Sequence, residues 1–277
     1  MASNFTITST FKLRSGNEMP IFGLGVAATS DCYEACKVAL QHGYRLIDTA
    51  QYYFNEEQVG KAVRDSGLPK EEVFVTTKIF SSDHGYENTK AAIDKSLSKL
   101  NISYIDLFLI HDPKSGKQKR LETYKALLEA KQAGKVRAVG VSNYSGRHMD
   151  EIKEAGYEMP SVNQIELHPF CQQKEITAYD NAHGVVTQAF CPLARARFDN
   201  PVIQEIAQKY HKESAQILLR WSIQRGFAPI PKSSQPARIK SNADIYDFVI
   251  SQEDMAKINA LDKGKAGSIS WNPVDAA

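Results

Sequence analysis

The sequence predicts an α/β fold of the (β/α)8 TIM-barrel type, on three observations. A helical pattern ending in Gly or Asn is followed at once by a short apolar strand, and this junction occurs seven times. The strands are almost continuously apolar, as in parallel sheets that are covered on both faces. The chain has 277 residues, close to the roughly 250 that such barrels need.

The eight strands can be placed in order along the chain. Seven follow the junctions, and the stretch 20–26 adds one that has no helix before it. The residues expected in the left-handed conformation after each helix are Gly43, Gly67, Asn101, Gly134, Gly156, Gly184 and Gly226. We expect strands to begin near residues 20, 44, 73, 104, 136, 161, 185 and 227. One helix fits each interval, except that the last interval contains two helical patterns, 201–210 and 214–224.

The segment before the first barrel strand, FTITSTFKLRSGNEM, contains Ser15-Gly16-Asn17, a typical turn sequence. It predicts an N-terminal β-hairpin that closes the bottom of the barrel. No linker, low-complexity tract or second domain is indicated. We therefore interpret residues 1–277 as a single (β/α)8 catalytic domain with additional helices.

Composition and charge exclude several partners. Hydrophobic residues make up 42% of the chain and the formal net charge is +2, so neither nucleic acid nor a membrane is an expected partner. The N-terminus, MASNFTITST, lacks the basic and apolar regions of a secretion signal. No apolar run approaches the roughly 18 residues of a transmembrane helix. A cytoplasmic protein is expected, as a monomer or, alternatively, a dimer.

The four cysteines are Cys32, Cys36, Cys171 and Cys191. The first two share one helical face with Ala35, Ala39 and Leu40, which favours buried, reduced thiols over metal or redox chemistry. We expect neither a disulfide framework nor a bound metal.

Polar side chains stand at the predicted strand ends, where barrels of this type carry their chemistry. In RLIDTAQYYFNEEQVG, residues 45–60, a strand ends in Asp48, Tyr53 follows in a turn, and Asn55 is a good N-cap for the next helix. Lys78 lies in the otherwise apolar VFVTTKIF, where its charge requires a partner such as Asp48. His111 ends the fourth strand.

The segments GYRLIDTAQYYFNEEQVGKA, VFVTTK, YIDLFLIH, VRAVGVSNY, VNQIELHP and IPKSSQPARIKSN, in this order, resemble the aldo-keto reductases. The resemblance covers nearly the whole chain. It implies reduction of a small-molecule aldehyde or ketone to an alcohol by hydride transfer from NADPH, which leaves as NADP+. Carried over residue by residue, the catalytic tetrad falls on Asp48, Tyr53, Lys78 and His111.

These residue types suit that chemistry. Hydride addition leaves negative charge on the carbonyl oxygen, so a proton donor is needed beside it. A free tyrosine titrates near pH 10, and we expect Lys78 to lower the pKa of Tyr53 so that it serves as general acid. Asp48 would hold Lys78, and a neutral His111 would orient the carbonyl. Singly, each side chain could equally be a packing residue.

The same resemblance implies the cofactor site. Lys232 and Arg238 would bind the 2′-phosphate of NADPH. The other residues that the resemblance assigns to the cofactor are Ser142, Asn143 and Gln164 at the nicotinamide carboxamide, Phe190 against its ring, and Leu193, Ser233, Ser234 and Asn242 along the rest of the molecule. The alternative for the basic segment is a solvated helix face.

Departures from the family pattern cluster where substrate would bind. Ala27, Phe80 and Asp112 replace bulkier or aromatic residues, which predicts a roomier and partly acidic pocket. Asp112 also follows His111 directly, so its carboxylate could raise the histidine pKa. The loops after the fourth and seventh strands look short, so Trp271 in GSISWNPVDAA is expected to supply part of the pocket wall.

Three alternatives remain from the sequence. Gly23-Leu24-Gly25-Val26-Ala27-Ala28 fits a dinucleotide-binding fingerprint, although the helix after it is expected to begin too late, at 29–31. Lys78 could form a Schiff base in an aldolase-like barrel. The barrel could also serve only in cofactor binding or structure, because a fold alone does not fix function.

Overall fold

The strands form a hairpin and a parallel sheet in the computed structural model, which describes residues 5–277. The strands are β1 (Thr10–Lys12), β2 (Glu18–Pro20), β3 (Leu24–Gly25), β4 (Leu46–Asp48), β5 (Phe74–Ile79), β6 (Ile105–Ile110), β7 (Val136–Ser142), β8 (Val162–Glu166), β9 (Val186–Phe190) and β10 (Ala228–Pro229). β1 pairs antiparallel with β2, and from β3 to β10 each strand pairs in parallel with the next. The predicted fold class is confirmed; residues 1–4 of the predicted domain lie outside the described residues.

Backbone hydrogen bonds join the two edges of the parallel sheet. Gly23 N donates to Pro229 O at 3.2 Å, and Gly25 N donates to Pro231 O at 3.1 Å. A Cβ on Gly25 would lie 2.9 Å from Ile230 O, so the close approach of β3 and β10 requires glycine there. The sheet is therefore closed into a barrel.

Helices cover the outside of the barrel. They are α1 (Cys32–Gln41), α2 (Glu56–Asp65), α3 (Tyr86–Leu100), α4 (Lys117–Gln132), α5 (Gly146–Glu154), α6 (Lys174–Ala182), α7 (Pro201–Tyr210), α8 (Ser214–Gln224), α9 (Pro236–Ala243) and α10 (Gln252–Asn259). The two helices predicted before the last strand, α7 and α8, are confirmed. Within residues 5–277, no helix combines the length and apolarity needed to cross a membrane.

The hairpin lies at the amino-terminal end of the barrel, as predicted. Leu13 and Met19 pack in one apolar cluster with Leu46, Phe74 and other residues of the barrel strands. The predicted strand 20–26 is divided, because Ile21 N bonds to Ser9 O and continues the hairpin pairing. The barrel strand itself is only Leu24–Gly25.

The expected left-handed residues after the helices are also confirmed, with φ between 48° at Asn101 and 89° at Gly43. The dinucleotide-binding alternative is excluded, because α1 begins seven residues beyond Gly25, the second glycine of the motif, with Asp31 as N-cap. The Asp31 carboxylate accepts a hydrogen bond from Glu34 N at 3.1 Å. The amides at this helix end are therefore remote in sequence from the glycines and already capped.

Gly60 lies where α2 meets the end of α3. A Cβ added to it would lie 1.8 Å from Leu100 O, an impossible distance without backbone movement. We expect Gly60→Ala to destabilise the fold by about 1–3 kcal/mol, although alanine favours a helix over glycine by about 1 kcal/mol. Chemical denaturation measures this, with the exposed Glu57→Ala of the same helix as control, expected to cost at most about 1 kcal/mol. A Gly60→Ala protein as stable as the wild type would refute the packing described.

Candidate active site

A cavity of about 1440 Å³ opens at the carboxyl ends of the barrel strands. Side chains at the ends of the barrel strands, or in the loops just after them, line this cavity. They include Ala27, Asp48, Phe80, His111, Asn143, Gln164, Phe190 and Lys232. Parallel strands in a closed barrel bring all of these ends to one place. The cavity is therefore the candidate active site.

Asp48 and Lys78 form a buried ion pair beneath the cavity. Lys78 Nζ lies 2.5 Å from Asp48 Oδ1 and donates to Thr49 O at 2.9 Å. Gln164 Nε2 donates to the second carboxylate oxygen of Asp48 at 2.7 Å. Burial raises the pKa of Asp48 and lowers that of Lys78, and the charge of each partner opposes the shift of the other. The lysine is wholly buried and does not line the cavity.

Tyr53 lies between this ion pair and His111. Tyr53 belongs to a 3-10 turn, Gln51–Tyr53, between β4 and α2. Its hydroxyl is 3.5 Å from His111 Nε2, and Lys78 Nζ is 5.0 Å from the centre of its ring. The structure thus brings together the four residues that the sequence singled out. Asn55 occupies the N-cap of α2 as predicted, but its amide binds Thr49 and Val26 O instead of capping the helix.

The pKa of Tyr53 is shifted in the direction opposite to the expected one, whereas the shift of His111 agrees with the expected neutral ring. Burial raises the pKa of Tyr53, and Asp48 and Cys191 raise it further. The lowering expected from Lys78 does not appear, because burial and the negative charge of Asp48 outweigh the attraction of the ammonium for the phenolate. Burial lowers the pKa of His111 well below its ordinary value, and Lys78 and His84 add to the effect. His111 is therefore neutral at neutral pH.

Asn143, which lines the cavity, has a buried side-chain acceptor without a partner among the described residues. Its Nδ2 donates to His111 O and to Ser142 Oγ, both at 3.1 Å, whereas its buried Oδ1 has no hydrogen-bond partner among the described residues. Ser142 Oγ donates to Gln164 O at 2.8 Å. The Gln164 amide nitrogen is already engaged by Asp48 and by Gln188 Oε1 at 2.6 Å. Asn143 Oδ1 therefore fits the amide hydrogens of a carboxamide.

The remaining residues of the expected cofactor site also line the cavity. They are Phe190, Leu193, Lys232, Ser233, Ser234, Arg238 and Asn242. Lys232 and Arg238 are exposed, and within residues 5–277 neither cation forms an ion pair. Their charges are therefore available to an anionic ligand in the cavity.

Asp112 does not line the cavity, in contrast to the expectation of an acidic pocket. It is completely buried, and its carboxylate accepts hydrogen bonds from Ser81 N at 3.2 Å and Lys114 N at 3.0 Å. The carboxylate shapes the loops after β5 and β6, and the groups that shift the His111 pKa do not include it. Ala27, Phe80 and Trp271 do line the cavity.

Glu166 holds the segment that carries Trp271, a connection that the sequence did not reveal. This wholly buried carboxylate at the end of β8 accepts hydrogen bonds from Ser268 Oγ at 2.8 Å, Ile269 N at 2.7 Å and Ser270 N at 3.1 Å. His168 Nε2 lies 2.9 Å from it. Burial raises the pKa of Glu166, but the hydrogen bonds outweigh burial and bring the pKa to about 2. The C-terminal segment is thus fixed to the barrel next to the cavity.

The loop after β9 was underestimated from the sequence. It runs from 191 to 200, and Cys191, Pro192, Arg195, Ala196 and Phe198 all line the cavity. All four cysteines are free thiols, as expected, but Cys191 is only half-buried. Residues 194–196 have positive φ. Arg195 and Arg197 in CPLARARFDN are the signal that could have marked this loop, since arginines are rarely core residues.

Comparison with known proteins now decides the family. The model of the Aldo/keto reductase family matches residues 21–263. The chain belongs to the aldo-keto reductase family. It is therefore an oxidoreductase of that family, and the predicted family resemblance is confirmed.

Individual aldo-keto reductases are similar over nearly the full chain. The glyoxal reductase of Bacillus subtilis (strain 168) is 46% identical over 262 residues, which cover 93% of this chain and 94% of the relative. An aldo-keto reductase from a Medee basin deep-sea metagenome library, MGS-M4, superimposes with a TM-score of 0.92 at 41% identity, covering 95% of this chain and 98% of the other. The Bombyx mori aldo-keto reductase, solved in complex with NADP, has a TM-score of 0.89 at 33% identity, covering 98% of each chain.

Proposed function

We propose that the protein reduces aldehydes or ketones to alcohols with NADPH, the cofactor of this family, using Tyr53 as general acid. The observation that carries the proposal is the placement of the Tyr53 hydroxyl 3.5 Å from the neutral His111, directly above the Asp48–Lys78 ion pair. A carbonyl oxygen received between the two rings would meet a proton donor and a hydrogen-bonding group.

Two separate features of the cavity suit NADPH. Asn143 Oδ1, a buried acceptor without a partner among the described residues, suits the nicotinamide carboxamide. Lys232 and Arg238, which line the same cavity, suit the 2′-phosphate of NADPH. Bound NADPH supplies the hydride, while Ser142, Gln164 and Phe190 would help to hold its ring next to Tyr53.

The raised pKa of Tyr53 suits the reducing direction. A buried phenol stays protonated at neutral pH, which is the form that donates a proton to the developing alkoxide. The phenolate that remains lies near Lys78, whose ammonium would stabilise it. His111, neutral because burial lowers its pKa, would orient the carbonyl oxygen without competing as an acid. Asp48 holds Lys78 in position.

The proposal is tested by following NADPH absorbance with purified protein and a panel of aldehydes, ketones and keto acids. Glyoxal belongs in the panel because a relative in Bacillus subtilis is named glyoxal reductase. We expect NADPH oxidation in proportion to alcohol formed. No oxidation with any carbonyl compound would reject the proposal in favour of a barrel that serves only in binding.

The aldolase alternative is disfavoured by the position of Lys78. Its ammonium is wholly buried, bonded to Asp48 and Thr49 O, and absent from the cavity lining. A Schiff-base lysine must reach the substrate as a free amine. Borohydride reduction with a carbonyl substrate, followed by mass spectrometry, would detect covalent trapping on Lys78; we expect none.

Preference for NADPH over NADH gives a separate prediction. Arg238→Met is expected to raise the Kd for NADPH about tenfold, because one charge-assisted contact to the phosphate is lost. The Kd for NADH, which lacks that phosphate, should not change. Fluorescence titration measures both constants. Lys240→Met is the matched control, since Lys240 is exposed on the same helix but does not line the cavity; equal losses for both cofactors would contradict the assignment.

A further inference from the structure

Exposed aromatic side chains are concentrated at the mouth of the cavity. Among the described residues, the large hydrophobic side chains that are exposed are Tyr52 at 57%, Phe54 at 80%, Trp271 at 43% and Val249. The three aromatic ones all line the cavity. Exposed apolar surface concentrated beside a pocket marks a contact surface for a ligand.

These rings form a continuous row that leads inward to His111. The ring centres of Phe54 and Tyr52 are 6.1 Å apart, and Tyr52 stacks on Phe80 at 4.6 Å. Phe80 lies 5.8 Å from Trp271 and 5.6 Å from His111. We call Phe54, Tyr52, Phe80 and Trp271 the aromatic row. It extends from the surface to the group that is proposed to orient the carbonyl.

Phe54 has no structural task that explains its identity. It is in the left-handed conformation, with φ 54° and ψ 30°, which is unfavourable for a large L-residue, and its exposed ring contributes little to the core. Glycine or asparagine would satisfy that backbone at lower cost. Strain kept at a cavity mouth points to a role in binding.

Lys114 stands beside Trp271, at the end of the row opposite Phe54. It lines the cavity, and its Nζ is 5.8 Å from the centre of the Trp271 ring. Within residues 5–277 it forms no ion pair. Two acidic residues line the cavity, Asp48 and Glu213. Asp48 is paired with Lys78, and Glu213, the N-cap of α8, accepts a hydrogen bond from Ser241 Oγ. The neighbourhood of Trp271 therefore presents a cation to the cavity without a carboxylate from the lining to neutralise it.

We propose that the substrate is a planar, apolar carbonyl compound with an anionic group at the end remote from the carbonyl. The aromatic row binds its body by stacking, and Lys114 binds its anion. This inference rests on the proposed carbonyl reduction and adds the substrate class. Reduction itself is unchanged: hydride goes to the carbonyl carbon and the Tyr53 proton to its oxygen, while the anionic group stays intact.

Three matched aldehydes test the inference: benzaldehyde, 4-carboxybenzaldehyde, and methyl 4-formylbenzoate, which has nearly the same size as the acid but no charge. We expect wild-type kcat/KM to be about two- to fivefold higher for the acid than for its ester, the range of an exposed ion pair. In Lys114→Gln the acid-to-ester ratio is expected to fall to about one, chiefly through KM. Lys95→Gln, an exposed lysine of α3 outside the cavity lining, should retain the wild-type ratio.

The outcomes separate this inference from the function on which it rests. Reduction of the ester with no preference for the acid, or a preference that survives Lys114→Gln, would overturn the inference and leave carbonyl reduction intact. No NADPH oxidation with any of the three aldehydes would overturn both. A second variant tests the row with uncharged probes: Phe54→Ala should raise KM several-fold more for 2-naphthaldehyde, whose second ring reaches further along the row, than for benzaldehyde. Equal changes in KM would contradict a role for Phe54.

Discussion

Tyr53→Phe is expected to lower kcat for aldehyde reduction by about 10²- to 10⁴-fold, the usual contribution of a positioned general acid. The variant removes one oxygen from a buried ring and leaves the apolar contacts in place, so the fold should be retained. Without the hydroxyl, the nearby His111 would be a poor substitute, because burial lowers its pKa and leaves the ring neutral. Hydride transfer would then leave negative charge in a buried environment without a proton.

The measurement is steady-state turnover together with NADPH affinity from fluorescence quenching. Affinity should stay near the wild-type value, because Tyr53 is not among the residues proposed to hold the cofactor. Tyr52→Phe is the matched control: it removes the neighbouring hydroxyl but keeps the ring stacked on Phe80. We expect a loss of less than tenfold there. Turnover retained in Tyr53→Phe would refute the role of Tyr53 as general acid.

Much of the barrel could be predicted because its signals are local. A helix that ends at Gly43 or Asn101 needs a residue that tolerates the left-handed conformation, and the strand that follows is apolar. Lys78 and Asp48 could be paired from the sequence because a charge in an otherwise apolar strand requires a partner. Family resemblance then located Tyr53 and His111. Each of these signals is visible in a single residue and its immediate neighbours in the sequence.

The rest depends on long-range geometry. Asp112 was expected in the pocket, but its carboxylate turns to backbone amides of neighbouring loops, which sequence spacing does not encode. Glu166 binds a segment about one hundred residues further along the chain. The raised pKa of Tyr53 follows from its burial and from its closeness to Asp48 and Cys191, which only the folded structure shows. Phe54 makes sense only beside Tyr52, Phe80 and Trp271 in space.

Lys78→Met is expected to give the second large effect, on stability as well as turnover. Removing the ammonium leaves Asp48 buried with Gln164 as its remaining side-chain partner. Breaking a buried pair from one side typically costs about 3–5 kcal/mol. The pKa of Asp48, already raised by burial, should rise further, because Lys78 lowers it in the wild type. Thermal and chemical denaturation measure the loss.

The pH dependence of stability in Lys78→Met distinguishes an unpaired Asp48 carboxylate from a simple loss of packing. In the variant the folded pKa of Asp48 lies further above its unfolded value, so between the two values the native state binds more protons than the unfolded one. Stability relative to the wild type should therefore fall as pH rises through that interval and recover as pH drops and the carboxyl becomes neutral. A loss of stability independent of pH would instead indicate a packing defect.

A double variant, Lys78→Met with Asp48→Asn, separates stability from catalysis. Replacing the carboxylate by a neutral amide removes the buried unpaired charge, so we expect most of the lost stability to return and the pH dependence to vanish. Turnover should remain low, because the phenolate left after proton donation no longer has an ammonium nearby. If the stable double variant regained wild-type turnover, Lys78 would have only a structural role, and the assignment of a catalytic function to the ion pair would be wrong.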